Sequence, residues 1–541
     1  MNQSQYFYLC LNLLFYKSIN CTEMKQQQLL IISIIFSWMM ASTAYSNNVQ
    51  VSNVTISGQN VSQHFSLINF DISWDNSWRT STFESNRDAC WVFFKIRKKT
   101  LTTWNHATIN YVNGTAAADG HVQPAGSTIN TSSDGKGIFI YKAADGIGPN
   151  NFTGAQIRWN YGLDGLTDFD AVELCAFSIE MVYVPQGSFL AGDGGTGSGN
   201  FKEGATTNTP FSISSENPLN IGDNPSELWA TSASGSNSIG TAGVLAATFP
   251  KGFGAFYCMK YEISQEQYVE FLNKLTRQQQ SINVQSGVAS GVTSVTNRYV
   301  LSGTAGLAIR NGVRCDAVIP ATASITFYCD LNSNGSPNEP TDGQYIACNY
   351  LSTSEALAYT DWSGLRPMTE LEFEKACRGT LPSNANEYAW GNILISPATS
   401  FLNPGANNEI AGNAGANIAE GNQPGLQGPL RVGSFAQIAT SRQAAGAAYY
   451  GIMEMSGNLT ERCISVGLPS GRAFDGLHGD GNLSSSGVGN VLNWSSSGIG
   501  TRGGSYFDQE IFSRISDRSY ASFAQTAASL NYGFRCVRTA P

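Results

Sequence analysis

A short segment rich in carboxylate and amide side chains offers the first candidate for metal chemistry. Asp330, Asn332 and Asn334, in the stretch DLNSNGSPNEPTDG, repeat the first half of an EF-hand calcium loop. Hard oxygen ligands of this kind are those that Ca²⁺ prefers. Thr341 stands where such a loop places its bidentate glutamate, so a plain turn closed by Asn and Asp side chains is an equal alternative.

The chain offers few clustered Cys and His side chains that could bind a softer metal ion such as zinc or iron. The four histidines are scattered at positions 64, 106, 121 and 478, and none of the eleven cysteines forms a CxxC pair. A zinc or iron site made of Cys and His side chains is therefore not indicated. The stretch RGGSYFDQEIFSRISDRSY, which starts at Arg502, carries carboxylate, hydroxyl and guanidinium groups but no thiol or imidazole.

The composition indicates a β-rich protein with many turns and few long helices. Of 541 residues only 13% are charged and 56 are glycine, a balance typical of short strands joined by irregular loops. The net charge of −9 argues against nucleic acid or an anionic membrane as the main partner, because both require a basic surface.

Residues 1–46 are predicted to be an upstream extension followed by a secretory signal peptide. From Met24 a lysine precedes a short apolar run, and Ala44-Tyr45-Ser46 matches the small-x-small pattern of a cleavage site. The run is short for a membrane anchor, which needs about 20 residues. We therefore predict a soluble mature chain without a transmembrane span, exported to the periplasm or the cell surface.

The composition and sequence pattern change near residue 180. This change predicts two domains, residues 47–180 and residues 181–541. The first range holds short runs rich in β-branched and aromatic residues, such as CWVFFKIR, which favour an antiparallel β-sandwich. Its tryptophans predict core packing, with carbohydrate stacking as the alternative. The second range alternates Gly/Ser-rich stretches with helix signals, so the predicted fold class is α+β.

Two helices of the second range have clear ends. Ser264 is a predicted N-cap with Gln267 three residues on, and apolar residues follow at helical spacing. Thr369 and Glu372 form the same capping box before a helix that Gly379 stops.

Seven sequence blocks in fixed order carry a family resemblance. They are MVYVPQGSFLAGDG, FYCMKYEISQEQYVEFLN, ALAYTDWSGLRPMTELEFEKACRG, EYAWGN, GIMEMSGNLTE, RGGSY and YGFRCVR. The range from Met181 to Arg538 is thereby similar to the formylglycine-generating-enzyme (sulfatase-modifying-factor) domain family, with insertions at 194–250 and 277–345. The resemblance implies an irregular, C-type-lectin-like fold after the sandwich.

The resemblance also implies where catalytic residues would lie. Active oxidases of the family bind copper and activate oxygen with two cysteines five residues apart after the glycine pair, and these positions hold Asp508 and Ser513 here. Neither is a soft thiolate ligand for Cu(I). We therefore predict no copper, no catalysis, and a binding or assembly role. The alternatives are an enzyme of altered chemistry and a lectin-like glycan binder.

One calcium site of the family maps onto the block GIMEMSGNLTE. The resemblance assigns this site to the side chains of Glu454 and Glu461 and to the backbone carbonyls of Gly457 and Leu459, so calcium is the predicted cofactor. The alternative is that both glutamates are solvated turn residues.

The cysteines depart from the family pattern. The resemblance leaves Cys377 and Cys536 without their usual disulfide partners, with Thr360 on the helix that normally supplies one of them, so both are predicted to be buried free thiols. Cys315 and Cys329 flank a short insertion and form a candidate bridge. Outside the cysteines, Arg514 and Arg518 are predicted to pair with Asp517 or with neighbouring carboxylates.

Domains of this family that lack the cysteine pair occur among envelope components of gliding motility and type IX secretion, and this chain resembles them. The likeness implies partners among envelope or secretion-machinery proteins. The Gly/Ser-rich insertions are the predicted contact loops, because loops on a rigid scaffold often carry recognition.

Overall fold

A computed structural model describes residues 48–230, 242–436, 439 and 441–541. The predicted signal peptide and upstream extension lie outside these residues. No helix within the described ranges is both long enough and apolar enough to cross a membrane.

Short strands dominate the described part of the chain. In chain order the strands are β1 Gln50–Asn60, β2 Phe65–Arg79, β3 Asp88–Lys98, β4 Asn105–His106, β5 Ser127–Thr131, β6 Ile138–Lys142, β7 Gly146–Trp159, β8 Val172–Val184, β9 Phe189–Ala191, β10 Lys202–Glu203, β11 Phe211–Ile213, β12 Leu219–Ile221, β13 Leu228–Trp229, β14 Gly243–Leu245, β15 Phe256–Met259, β16 Val313–Arg314, β17 Tyr328–Cys329, β18 Arg366–Pro367, β19 Phe401–Leu402, β20 Ile410–Ala411, β21 Glu461–Ile464, β22 Ile499–Arg502 and β23 Cys536–Thr539. The helices are α1 Ala116–Asp119, α2 Gln265–Leu272, α3 Arg277–Ile282, α4 Thr353–Trp362, α5 Glu370–Arg378 and α6 Pro469–Arg472.

An antiparallel sheet of eight strands forms the centre of the fold. Its order is β18-β23-β15-β8-β3-β6-β5, with β4 paired to β3 off this path. β8 pairs with β3 along its length on one side and with β15 on the other. Position 180, where the texture of the sequence changes, falls inside this strand, so the sheet runs from the first predicted domain into the second without interruption.

A second antiparallel sheet, β1-β2-β7, packs on the N-terminal half of the central sheet. Alternate residues of β2 point inwards, as the period of two in a strand requires. The apolar side chains of the two sheets pack against each other in one buried cluster. It contains Ile68, Phe70, Ile72 and Trp74 of β2 and Cys90, Val92, Phe94 and Ile96 of β3. These two layers and the irregular remainder confirm the predicted α+β class. The expected core packing also holds for the buried Trp74, Trp91 and Trp159.

The opposite face of β3 packs against the helices of the second range. Phe93 of β3 and Phe177 of β8 meet the ring of Trp362 in α4 edge to face, at 5.3 and 4.9 Å between ring centroids. Trp91 Nε1 donates a hydrogen bond to the Ser363 carbonyl at the end of the same helix, at 2.9 Å. Aromatic contacts of this kind add about 0.5–1.5 kcal/mol each to the area that they bury.

The predicted helix ends are confirmed. Ser264 caps α2 and Thr369 caps α5, each through a complete capping box. Gly379 ends α5 with φ of 67°, a region that glycine enters without strain. Every residue of α5 is buried, including its three glutamates, so each of these carboxylates needs a partner inside the protein.

The insertion at 277–345 has little regular structure and is organised by one buried side chain. The guanidinium of Arg277 donates to the carbonyls of Val288, Pro320, Ala323 and Val292, at 2.5 to 2.9 Å. Buried carbonyls outside a sheet or helix require such donors, and a guanidinium can supply five N–H groups.

Candidate functional site

The glycine pair still shapes the turn that follows β22. Gly503 and Gly504 have φ of 87° and 64°. A Cβ at Gly504 would lie 2.6 Å from Ser513 Oγ and 2.9 Å from the carbonyl carbon of Phe512, which is closer than packing allows. The turn therefore requires glycine, and it starts a segment, residues 503–523, that we call the glycine-turn segment.

Two buried arginines anchor the glycine-turn segment to helix α5. Arg502, just before it, contacts Glu370 and Glu374, both at 2.8 Å. Arg518, near its end, contacts Glu370 through Nε and Nη2, both at 2.8 Å. Burial alone would raise the pKa of Glu370, but the charges of Arg518 and Arg502 outweigh it and hold the pKa below its usual value.

The predicted partners of the arginines are corrected in part. Arg518 pairs across the fold with Glu370 and not with its sequence neighbour Asp517, whose carboxylate accepts hydrogen bonds from Ser519. Arg514 donates a hydrogen bond of 3.3 Å to the side chain of Asn386 and also lies beside the hydroxyl of Tyr388.

Asp508 and Ser513, which the resemblance aligns with the family's copper ligands, lie in different surroundings. Asp508 Oδ2 accepts hydrogen bonds from Ser505 Oγ at 2.5 Å and from Thr460 Oγ1 at 3.1 Å. Ser513 is fully buried, and its Oγ has no hydrogen-bond partner among the described residues. A serine nucleophile needs a base within hydrogen-bond reach, and this hydroxyl has none.

The outer side of the glycine-turn segment exposes large apolar side chains. These are Phe507, Ile511, Tyr520 and Phe523, which we call the apolar set, each between 39 and 47% exposed. The ring of Tyr520 lies 5.4 Å from that of Phe512 and 6.2 Å from that of Phe523. Tyr520 and Phe523 are neighbours within this set, and contiguous exposed apolar groups are typical of interaction sites. The sequence predicted contact loops in the Gly/Ser-rich insertions and not in this segment.

A buried glutamate lies beside the apolar set. The backbone after Glu420 is bonded to the glycine-turn segment, with Gly421 N donating to the Asp508 carbonyl at 2.7 Å and Asn422 N to the Tyr506 carbonyl at 2.8 Å. Glu420 is 4% exposed, and its Oε2 is buried without a hydrogen-bond partner among the described residues. Burial, with the charge of Glu510 added, raises the pKa of Glu420 to about 7.

The glutamates of the predicted calcium site are buried, which contradicts the alternative of solvated turn residues. Glu454 is 4% and Glu461 0% exposed. Glu454 Oε1 accepts a hydrogen bond from Gly433 N at 2.8 Å, and Glu461 Oε1 contacts Arg535 at 2.6 Å. Burial is the main cause that raises the pKa of each carboxyl to about 7.

The donor set at this site fits a hard cation. The Oε2 atoms of Glu454 and Glu461 are both buried without a partner. No described residue donates a hydrogen bond to the carbonyls of Gly457 or Leu459. Two carboxylate oxygens and two carbonyls are ligands of the kind that Ca²⁺ takes. The described residues contain no group of three or more His, Cys, Asp or Glu side chains that could hold a metal ion.

The predicted calcium loop at Asp330 is closed by internal donors. The carboxylate of Asp330 pairs with Arg314 and accepts hydrogen bonds from Asn334 N at 3.1 Å and Gly335 N at 3.0 Å. Asn332 and Asn334 both direct their amide groups to Glu339, at 3.1 and 2.5 Å. The positive charge facing Asp330 is therefore a guanidinium, and the contacts favour the Asx-rich turn.

The cysteines of the described residues are free thiols. Cys377 and Cys536 are buried as predicted, and Thr360 Oγ1 lies 3.6 Å from Cys536 Sγ. The candidate bridge between Cys315 and Cys329 is wrong, because both are free. They lie near the ends of the β16-β17 ladder, where Cys329 pairs with Val313 and Cys315 follows the last paired residue.

Sequence reasoning missed Glu420 and the apolar set. The glycine-turn segment contains only a single 3-10 turn, Glu510–Ser513, so its apolar residues follow neither helical nor strand periodicity. Glu420 lies in a loop, where a carboxylate is normally solvated. Only the clustering of five aromatic residues between Tyr506 and Phe523 was a usable signal.

Comparisons with known proteins give a fold family but no close relative. No curated protein matches the sequence. Among solved structures the chain is similar to Treponema denticola variable protein 1, with 13% sequence identity, a TM-score of 0.24, and coverage of 67% of this chain and 96% of that one. A likeness at this level indicates neither function nor partner. The family model described as the sulfatase-modifying factor enzyme 1-like domain matches residues 230–540, and the chain therefore belongs to the family of proteins with this domain.

Proposed function

We propose that this protein is a non-catalytic, exported binding or assembly protein of a bacterial cell envelope, associated with secretion or gliding machinery. Its binding surface is the outer side of the glycine-turn segment. The observation that carries this proposal is a contrast within that segment. Asp508 accepts a hydrogen bond from Ser505, and Ser513 is buried. The apolar set, by contrast, is exposed to solvent.

The anchoring of the segment supports the same role. Binding surfaces lose less affinity to ordering when their residues are held in place before the partner arrives. Arg502 and Arg518 fix both ends of the segment on the buried helix α5. Aromatic side chains with few rotatable bonds then supply contact area at low entropic cost.

We also propose that the protein binds a calcium ion that stabilises its structure. Glu454, Glu461 and the carbonyls of Gly457 and Leu459 would hold it, and its charge would offset that of Glu454, because Arg535 already pairs with Glu461. The site lies behind the glycine-turn segment, since Gly457 N donates to the Gly503 carbonyl at 2.8 Å. The ion would thus stabilise the turn and take no part in chemistry.

The proposal is tested by capture of partners from envelope extracts of the source cells. Wild-type protein should retain a defined partner, and the double variant Phe507→Ala/Tyr520→Ala should retain at least about tenfold less, because central aromatic contacts often contribute 2 kcal/mol or more. Phe169→Ala is the matched control, since Phe169 is 96% exposed in the loop before β8.

The competing function, an enzyme of altered chemistry, makes a different prediction. An enzyme that still oxidised cysteine without the thiol pair would consume oxygen in the presence of a cysteine-containing peptide. Turnover by the wild-type protein in that assay, or equal partner capture by the double variant, would contradict the proposed function.

A further inference from the structure

One carboxyl oxygen of Glu420 is buried without a partner among the described residues. A carboxylate that loses water on burial normally gains hydrogen bonds or a counter-ion, because an unpaired buried charge is costly. No described residue donates a hydrogen bond to Glu420, and the charge that acts on it is that of Glu510, which has the same sign. Glu420 therefore lacks a cationic partner among the residues that the structure describes.

Glu420 lies close to the glycine-turn segment and to the exposed Glu510. Its loop is bonded to residues 506 and 508 of the glycine-turn segment. Glu510 is exposed on the 3-10 turn of the same segment, next to Ile511 of the apolar set. The two carboxylates thus border the apolar surface on which the proposed function rests.

A metal ion fits these two groups poorly. Ca²⁺ takes six to eight oxygen ligands and Mg²⁺ demands six in octahedral geometry. The described residues hold no cluster of three metal-binding side chains, and the nearby Asp508 already accepts two hydrogen bonds through one oxygen. An ammonium or guanidinium group needs only one or two carboxylates, and its aliphatic stem matches an apolar border.

We infer that the partner of this protein presents a lysine or arginine side chain, flanked by apolar residues, that pairs with Glu420 and Glu510. The inference rests on the proposed binding surface and specifies its chemistry. The apolar residues of the partner cover Phe507 and Ile511, and the basic group satisfies the carboxylate that the fold leaves unpaired.

The test is selection from a random peptide library displayed on phage against the immobilised wild-type protein. Peptides that bind should be enriched in Lys or Arg next to apolar residues. Synthetic versions should bind Glu420→Gln about tenfold or more weakly than wild type, since a charge-assisted hydrogen bond is lost. Replacing the basic residue of the peptide by norleucine should weaken wild-type binding by a clearly larger factor than it weakens Glu420→Gln binding, in which only Glu510 remains to pair with that residue.

Controls separate this inference from the proposed function. Glu420→Gln should fold, because it removes a buried unpaired charge, and Glu84→Gln, in the loop between β2 and β3, serves as the remote carboxylate control. Peptides that require Phe507 and Tyr520 but no basic residue would overturn the inference and leave the binding surface standing. Peptides indifferent to the apolar set would overturn both. Displacement of the peptides by millimolar Ca²⁺ or Mg²⁺ from wild type alone would identify a metal ion as the occupant and overturn the inference.

Discussion

Buried charges define this protein at the scale of single residues. Most of them are compensated: Arg366 contacts Glu372 at 2.6 Å and Arg378 contacts Glu387 at 2.5 Å, all fully buried. Such pairs contribute little net stability but are costly to break. Several buried carboxylate oxygens nevertheless lack a partner among the described residues, including those of Glu420 and Glu454, and we propose that a cation from outside would stabilise the protein at both places.

The calcium site gives the prediction at this scale. Addition of Ca²⁺ in large excess over its dissociation constant should raise the melting temperature of wild type, because a ligand at about 100 times that constant stabilises by about 2.7 kcal/mol. Glu454→Gln keeps the hydrogen-bond acceptor for Gly433 N and should lose the effect. The control Asn332→Ala, in the Asp330 loop, should retain it. Differential scanning fluorimetry with calcium and with a chelator measures the change, and equal melting temperatures would exclude a structural ion at Glu454.

At this scale the sequence predicts caps better than charge partners. Ser264 and Thr369 could be identified because a capping box depends on residues three apart. Arg518 could not be assigned to Glu370, since the two are 148 positions apart and any carboxylate of the fold was an equal candidate. The solvation of Glu420 is likewise set by packing that no local pattern encodes.

At the scale of elements, helix α5 is the base on which the glycine-turn segment rests. Its first and second turns direct Glu370 and Glu374 to Arg502, and Glu370 also holds Arg518. The helix is buried on all sides, so its carboxylates cannot exchange these arginines for water. The orientation of the segment therefore depends on the integrity of this ion cluster.

We expect the replacement of two arginines of the glycine-turn segment to have very different effects on the free energy of unfolding. Arg518→Met should lower the free energy of unfolding by roughly 3–5 kcal/mol, because it leaves a buried carboxylate short of a partner. Arg514→Met should lower it by less than about 1 kcal/mol, since Arg514 forms no ion pair with a described carboxylate and its hydrogen bond to Asn386 is 3.3 Å long. Urea unfolding followed by tryptophan fluorescence compares the two. Similar losses in both variants would contradict the anchoring role of Arg518.

At the scale of the whole molecule, the central sheet makes one body of the described residues from Asn48 onward. β8 pairs along its length with β3 and continues as the partner of β15. Contacts far apart in sequence reinforce the junction: Arg538 of β23 pairs with Asp134 in the β5-β6 loop at 2.5 Å and lies over the ring of Trp91 at 4.4 Å. The family fold is thus built onto the N-terminal layers.

Separation of the two predicted domains should therefore fail. A chain of residues 181–541 begins inside β8, loses β3, and exposes the unpaired edge of the sheet, a known cause of aggregation. We expect it to be insoluble or unfolded, while residues 47–541 unfold in a single calorimetric transition. A soluble, cooperatively folded 181–541 fragment would show that the sheet is not needed for the family domain.

The continuity of the central sheet could not be predicted from the sequence. The change of texture near residue 180 is real, because Gly/Ser-rich loops begin shortly after β8. A change of loop composition, however, says nothing about which strands pair across it. Strand pairing depends on partners distant in sequence, such as Val182 with Asp88, and no periodic pattern contains that information.

The reactivity of the free cysteines of the described residues would report local unfolding of the protein. All of them are buried except Cys175, which is half-buried on β8. Thiol reagents react with the exposed thiolate, so a buried cysteine becomes reactive only when its surroundings open. The core cysteines are spread from Cys90 in the N-terminal layers to Cys536 in β23, and their labelling rates would therefore report, region by region, which part of the molecule opens first.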